Sequence, residues 1–98
     1  MERLTLADVL CRTVDELVAA FAAKDTAKIE DVRSVLGFLY EVNTQYSGAP
    51  GADYTEHYTD ADLTVVLDLL LDAIRDWYMG TPFKSTIPSH EWIRSRLA

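Results

Sequence analysis

The sequence predicts an all-α protein, a small bundle of three long helices followed by a short C-terminal helix. Three stretches carry apolar residues at steps of three and four, the spacing that lines one side of a helix. Residues that start or stop helices stand at the ends of these stretches. A chain of 98 residues is long enough to bury one core and too short for two, so we treat residues 1–98 as one domain.

The first helix is expected over residues 6–23. Thr5 and Asp8 have the spacing of a capping box, in which each side chain bonds a backbone N–H group left free at the helix start. One apolar stripe then runs along this helix: Leu6, Val9, Leu10, Val14, Leu17, Val18 and Phe21.

The second helix is expected over residues 26–46, after Asp25 as its N-cap. Gly37 lies in its middle, where glycine costs about 1 kcal/mol relative to alanine. We interpret this glycine as a point at which another helix approaches closely. A loop over residues 47–59 follows, which is long for a compact helical domain.

The third helix is expected over residues 60–79, with Thr59 as its cap and Gly80 at its C-terminal end. A short fourth helix over residues 90–97 begins after Ser89, whose side chain can cap it.

Helix three is apolar over most of its circumference. Between Leu63 and Tyr78 its polar residues are Thr64, Asp68, Asp72, Arg75 and Asp76. Such a helix must be covered on most sides, by the last helix, by a second copy of the protein, or by both. We expect both, with a homodimer formed through Val65, Leu69 and Trp77, because an obligate dimer face resembles a domain core cut in half.

The charge of the chain narrows the classes of partner. It has 9 Lys and Arg residues against 16 Asp and Glu residues, a net charge of −7. This balance argues against direct binding of nucleic acid and against docking on an anionic membrane. The apolar runs are too short to span a membrane, and the single cysteine fits a reducing compartment, so we expect a cytoplasmic protein.

An acidic stripe on helix three is the first candidate site. Asp60, Asp68, Asp72 and Asp76 recur at multiples of four residues. Carboxylates about 6 Å apart along a helix can imitate the phosphate row of a nucleic acid, and they would be drawn to a basic groove of a partner protein. The alternative is a solvated face that keeps an apolar helix soluble.

The loop is the second candidate site, because it holds Tyr54, Glu56 and Tyr58. Tyrosines beside serine and glycine are typical of recognition loops, since tyrosine offers a large contact area at a small entropic cost. An equally open alternative is that the tyrosines fold back and cap the end of the bundle.

Residues suited to metal binding or catalysis form no recognisable motif. Ligand-type side chains cluster in one stretch, Asp53, Glu56, His57, Asp60 and Asp62. Their spacing matches neither an EF-hand nor a zinc-binding helix. Cys11 could pair with His57 or His90 as a nucleophile, but its place beside the apolar stripe of helix one indicates a buried thiol. We therefore expect no metal, no cofactor and no enzyme activity.

The C-terminal segment is the one basic region, with Lys84, Arg94 and Arg96 around Trp92. An aromatic residue among arginines can anchor nucleic acid or a peptide. We favour a second interpretation, in which Trp92 and Ile93 pack on helix three and the arginines meet its acids.

Together these features predict a non-catalytic acidic protein-interaction module. Its most specific form is an inhibitor that mimics nucleic acid and occupies the basic nucleic-acid-binding groove of another protein. In its size, acidity and helical pattern the chain resembles phage-encoded defence inhibitors. The alternative is a homodimeric helical scaffold, an accessory subunit of a bacterial assembly whose acidity serves solubility.

Overall fold

The computed structural model describes residues 4–47, 55–58, 60–80 and 87–97. They form four α-helices and a hairpin of two short strands: α1 (Leu6–Ala23), α2 (Thr26–Asn43), β1 (Thr44–Ser47), β2 (Thr55–Tyr58), α3 (Ala61–Met79) and α4 (His90–Leu97). The predicted fold class is confirmed, with three long helices and a short one at the C-terminal end. Within the described residues, none of the helices is both long and apolar enough to cross a membrane.

Local capping sets the starts of the helices as the sequence predicts. The capping box of α1 is present, with the Asp8 backbone N–H donating to Thr5 Oγ1 at 3.1 Å and the Thr5 N–H donating to Asp8 Oδ2 at 3.0 Å. Asp25 caps α2 through its side chain, and Ser89 caps α4 in the same way. The turn between α1 and α2 is tight because Lys24 adopts the left-handed conformation, with φ of 53°.

The junction of α2 and α3 corrects three predictions. Helix α2 ends at Asn43 and not at residue 46, and the span expected as a loop over 47–59 contains β2. The N-cap of α3 is Asp60 and not Thr59, since the Asp60 side chain accepts the Leu63 N–H at 3.0 Å.

Asn43 gives the physical reason for this boundary. Its buried side-chain amide donates to the Asp60 carbonyl at 3.0 Å and to Thr64 Oγ1 at 2.8 Å, and its Oδ1 accepts the Asp60 N–H at 2.9 Å. The chain then turns into β1, which pairs antiparallel with β2 from Thr44 opposite Tyr58 to Ser47 opposite Thr55. Strand pairing between distant residues has therefore overridden helix continuation.

The helices form a four-cornered bundle in which α2 and α4 each pack against both α1 and α3. Neighbouring helices are antiparallel, as ion pairs and hydrogen bonds between their ends require. The core is a continuous cluster of fully buried side chains contributed by all four helices: Leu10, Leu17, Ile29, Leu36, Val66, Leu67, Leu70, Ile74 and Ile93.

Gly37 does not mark a close approach of helices. A Cβ atom placed at Gly37 would meet nothing within 4 Å apart from its own helix and chain neighbours. The interpretation from the sequence was therefore wrong, because the side of α2 that carries Gly37 is not pressed against another element.

Candidate partner-binding surface

Many of the described acidic side chains are used within the molecule. Four ion pairs link them to basic groups, Asp8–Arg94, Glu16–Lys28, Glu30–Arg33 and Asp62–Arg96. Asp15 contacts the His90 imidazole at 2.8 Å. Asp25 and Asp60 cap helices, so their side chains are also engaged. Of these engaged acids, Asp60 is one that the sequence predicted to face a partner.

Asp8 is the most strongly held of these acids. Hydrogen bonds from the Thr5 backbone N–H, from Arg94 and from the Thr5 hydroxyl, in that order of effect, lower the pKa of Asp8 from 3.8 to about 2. Arg94 Nη1 lies 2.6 Å from Asp8 Oδ1, so the same carboxylate caps α1 and fastens α4 to it.

The outer face of α3 keeps two free carboxylates. Asp68 and Asp72 are exposed, and within the described part of the chain neither has an ion-pair or hydrogen-bond partner. They stand one turn apart, a rise of about 6 Å along the helix. Val65 and Met79, both exposed, lie on the same side of the helix, and Arg75 lies at its edge towards α2. We call this set of residues (Val65, Asp68, Asp72, Arg75 and Met79) the α3 outer face.

Asp76 does not belong to this face, which corrects the predicted stripe. Its exposure is 7%, and its side chain has a contact within the molecule. A step of four residues advances about 40° around an α-helix, so Asp76 lies about 80° from Asp68, just beyond the edge of this face. Asp60 is exposed but serves as the cap of α3. The row of four predicted acids is reduced to two adjacent ones.

The tyrosine loop stays a prediction. Tyr54 lies outside the described residues, while Glu56 and Tyr58 are placed by their backbone in β2, opposite Tyr46 and Thr44 respectively. The hairpin brings this segment next to the start of α3. Turn residues between two runs of β-forming Thr and Tyr were the signal in the sequence that could have revealed it.

The residues predicted to form a dimer interface on α3 are placed differently from one another. Val65 is exposed, Leu69 is half-buried, and Trp77 stacks on Phe21 with ring centroids 5.8 Å apart and an interplanar angle of 16°. Helix α4 has 8 residues and α1 has 18, so α4 covers only part of the bundle. Phe21 and Trp77 pack against the hydrophobic core at another place, so Trp77 is engaged in contacts within the molecule.

The C-terminal helix pairs with acids on two helices rather than one. Arg96 Nη1 lies 3.3 Å from Asp62 on α3 and the guanidinium lies 5.0 Å above the Trp92 ring, whereas Arg94 pairs with Asp8 on α1. Ile93 is fully buried in the core. Packing of this helix on α3 is as predicted, and its additional packing on α1 was missed.

Cys11 and His90 do not form a nucleophile–base pair. The buried Cys11 Sγ lies 3.8 Å from the backbone carbonyl of His90, while the His90 imidazole Nε2 lies 2.8 Å from Asp15. The imidazole is thus bonded to a carboxylate and the thiol to a backbone oxygen. Among the residues that the structure describes, no group of three His, Cys, Asp or Glu side chains could hold a metal ion.

Two apolar surfaces were not singled out from the sequence. One is a groove of about 490 Å³ between α2 and α3, lined by Glu30, Arg33, Leu71, Ile74, Arg75, Tyr78 and Met79. Burial and the neighbouring Glu30 carboxylate raise the pKa of Tyr78 there. The other is an exposed row on α2, formed by Val35, Phe38 and Val42. The signal in the sequence is that apolar residues, Val35, Phe38 and Val42 among them, occupy more of the circumference of α2 than one buried face needs.

Comparisons with protein-family models, with curated proteins and with solved structures found no significant match to this chain.

Proposed function

We propose that the protein is a non-catalytic acidic interaction module that binds a basic surface of a partner protein through the α3 outer face. The observation that carries this proposal is the contrast among the acids. Within the described residues, Asp68 and Asp72 are exposed, unpaired and one turn apart on a single helix, whereas several acids on α1, α2 and α3 are paired with neighbouring basic groups. Two other exposed acids without a pair in this part of the chain, Asp31 and Glu41, stand ten residues apart on α2.

The chemistry of this face favours a partner groove that otherwise holds nucleic acid. Two carboxylates about 6 Å apart along a rigid helix resemble phosphates, which follow one another at about 3.4 Å along one strand. The exposed apolar side chains of Val65 and Met79 would contact the walls of such a groove. The resulting function is inhibition by occupation of the groove, and we place it in the cytoplasm.

Long-range electrostatics supports the same choice of partner. A net charge of −7 steers a basic protein towards the chain and repels another acidic one. Salt screens exposed charges over about 10 Å at 0.1 M, so the association should be fast at low salt and weaken as salt is added.

The test compares two double variants that change the net charge equally. Asp68→Asn with Asp72→Asn neutralises the proposed site, and Asp31→Asn with Glu41→Gln neutralises two exposed acids of α2 as the matched control. Each tagged protein is used for capture from the host lysate at low salt. Bound proteins are identified by mass spectrometry, and a duplex oligonucleotide is then added to the captured complex.

The expected result is capture of a nucleic-acid-binding protein by the wild type and the control. The Asp68→Asn, Asp72→Asn variant should bind the captured protein at least about tenfold more weakly. The oligonucleotide should displace the captured protein from the wild type. Equal retention by both double variants would show that Asp68 and Asp72 have no specific role.

A homodimeric scaffold is the alternative function. It requires an apolar face between copies. Trp77, one of the three residues predicted for that face, stacks on Phe21 of the same chain, so α3 is a poorer choice for the face than the sequence suggested.

A further inference from the structure

Helix α2 carries a row of apolar side chains that the bundle does not cover. Val35, Phe38 and Val42 are 47%, 64% and 63% exposed, and their spacing of three and then four residues puts them on one side of the helix. The row is uncharged at its centre, because the segment from Ser34 to Tyr40 contains no ionisable acid or base other than the Tyr40 hydroxyl.

Two side chains of α1 extend this row into a surface. Helices α1 and α2 are antiparallel, since Glu16 pairs with Lys28 and a small groove is lined by Thr13 from one helix and Val35 from the other. Val9 lies one turn before Thr13 in α1, and Leu6 lies nearly one turn before Val9. Both side chains are partly exposed, and they lie along α2 in the direction of Val42. We call Leu6, Val9, Val35, Phe38 and Val42 the α2 strip.

We propose that the α2 strip is covered by the α2 strip of a second copy of this protein. Its side chains are between about a third and two thirds exposed, which leaves on the order of 400 Å² of largely apolar surface on each copy. Two copies together would remove roughly 800 Å² of it from water, and a polar rim brings the total to the ~1,000 Å² that a specific interface needs.

The spacing of the strip suits a twofold axis. Consider two α2 helices that lie antiparallel, with the twofold axis between Phe38 and Leu39. Residues opposite each other then have numbers that add to 77, so Val35 of each copy is opposite Val42 of the other. Phe38 then packs at the centre, where an aromatic side chain contributes most to an interface.

The charges around the strip are compatible with two copies of an acidic chain. Asp31 precedes the row by one turn and Glu41 stands beside its end, so the acids lie at the rim, where salt screens their repulsion. The dimer should therefore hold or strengthen as salt is raised. The inference is independent of Asp68 and Asp72, and its salt dependence is opposite to that of the proposed partner binding.

The first test measures the oligomeric state of the full chain by sedimentation equilibrium over about a 100-fold range of concentration. We expect a concentration-dependent dimer that Phe38→Asp dissociates, with a dissociation constant raised about 30-fold or more. Val18→Asp is the matched control, because Val18 is 46% exposed on α1 outside the strip. Circular dichroism shows that each variant is folded, and Phe38→Ser provides a milder second change at the same position.

The second test reads the register. In a Cys11→Ala background, equal amounts of the Val35→Cys and Val42→Cys variants are mixed and oxidised, and the antiparallel arrangement predicts the mixed disulfide well above the twofold excess over either symmetric one that random pairing gives. A wild-type monomer at all concentrations, or a dimer that survives Phe38→Asp with its fold intact, would overturn the proposal. A mixed disulfide at or below that twofold ratio would overturn the arrangement.

Discussion

The contact between Asn43 and the start of α3 gives the sharpest prediction about stability. Asn43 ends α2, is 4% exposed, and makes three hydrogen bonds to residues 17 and 21 positions away in the chain. Asn43→Ala removes all three at once. It also leaves the Asp60 N–H without this acceptor.

The expected loss follows from that count. A hydrogen bond contributes about 0.5–1.5 kcal/mol net, so three contribute about 3 kcal/mol. The free energy of unfolding of a small domain is about 5–15 kcal/mol, so the variant should lose a large part of its stability. For a domain of this size, 1 kcal/mol corresponds to a fall of about 4–8 °C in Tm.

The assay is urea unfolding followed by circular dichroism, for the wild type, Asn43→Ala and Thr64→Val. Thr64→Val removes one of the three Asn43 bonds, together with the bond from the Thr64 hydroxyl to the Asp60 carbonyl. It should therefore cost less than Asn43→Ala, and the double variant should cost less than the sum of the two. A loss below about 1 kcal/mol for Asn43→Ala would refute the idea that this side chain sets the helix boundary.

Three further predictions concern other elements. Gly37→Ala should raise the free energy of unfolding by up to about 1 kcal/mol in the same urea assay, because the new methyl group meets open space and alanine favours the helix; a loss of stability would mean that this side of α2 is occupied. The carboxylate of Asp8 has a pKa lowered from 3.8 to about 2, so the stability it contributes is present above pH 3.8 and is lost as the pH falls towards 2. Acid unfolding of Asp8→Asn should therefore lack part of this pH dependence, whereas an unchanged profile would contradict the stabilising role of the hydrogen bonds that this carboxylate accepts from the Thr5 N–H and from Arg94. Arg94→Ala should speed the reaction of the buried Cys11 thiol with a disulfide reagent, because α4 covers that thiol and Arg94 holds α4 to α1; Arg33→Ala, which removes an ion pair within α2, should leave the rate unchanged.

The local features of the helices could be predicted from the sequence because neighbouring residues determine them. The capping box of Thr5 and Asp8, the caps Asp25 and Ser89, and the glycine that ends α3 all act within one turn of the backbone they bond. Fold class followed from these signals together with the periodicity of the apolar residues.

The candidate surface could be predicted only in part. The sequence predicts its two central acids, Asp68 and Asp72, but repetition every four residues also predicts Asp76, which is buried. An α-helix has 3.6 residues per turn, so such a row drifts around the helix and its third member entered the bundle. Equally, an apolar residue at helical spacing identifies a face of the helix but not the element that covers it.

By itself, the sequence determined that the chain is helical, where most helices begin, and that the molecule is strongly acidic, since each of these properties is local or additive. Tertiary structure decided where α2 stops, which acids are neutralised, and which apolar side chains stay exposed. Those outcomes depend on contacts between residues far apart in the chain. Asn43 contacts Asp60 and Arg94 contacts Asp8. Phe38 stays 64% exposed, and the short α4 packs against α1 and α3 rather than over it.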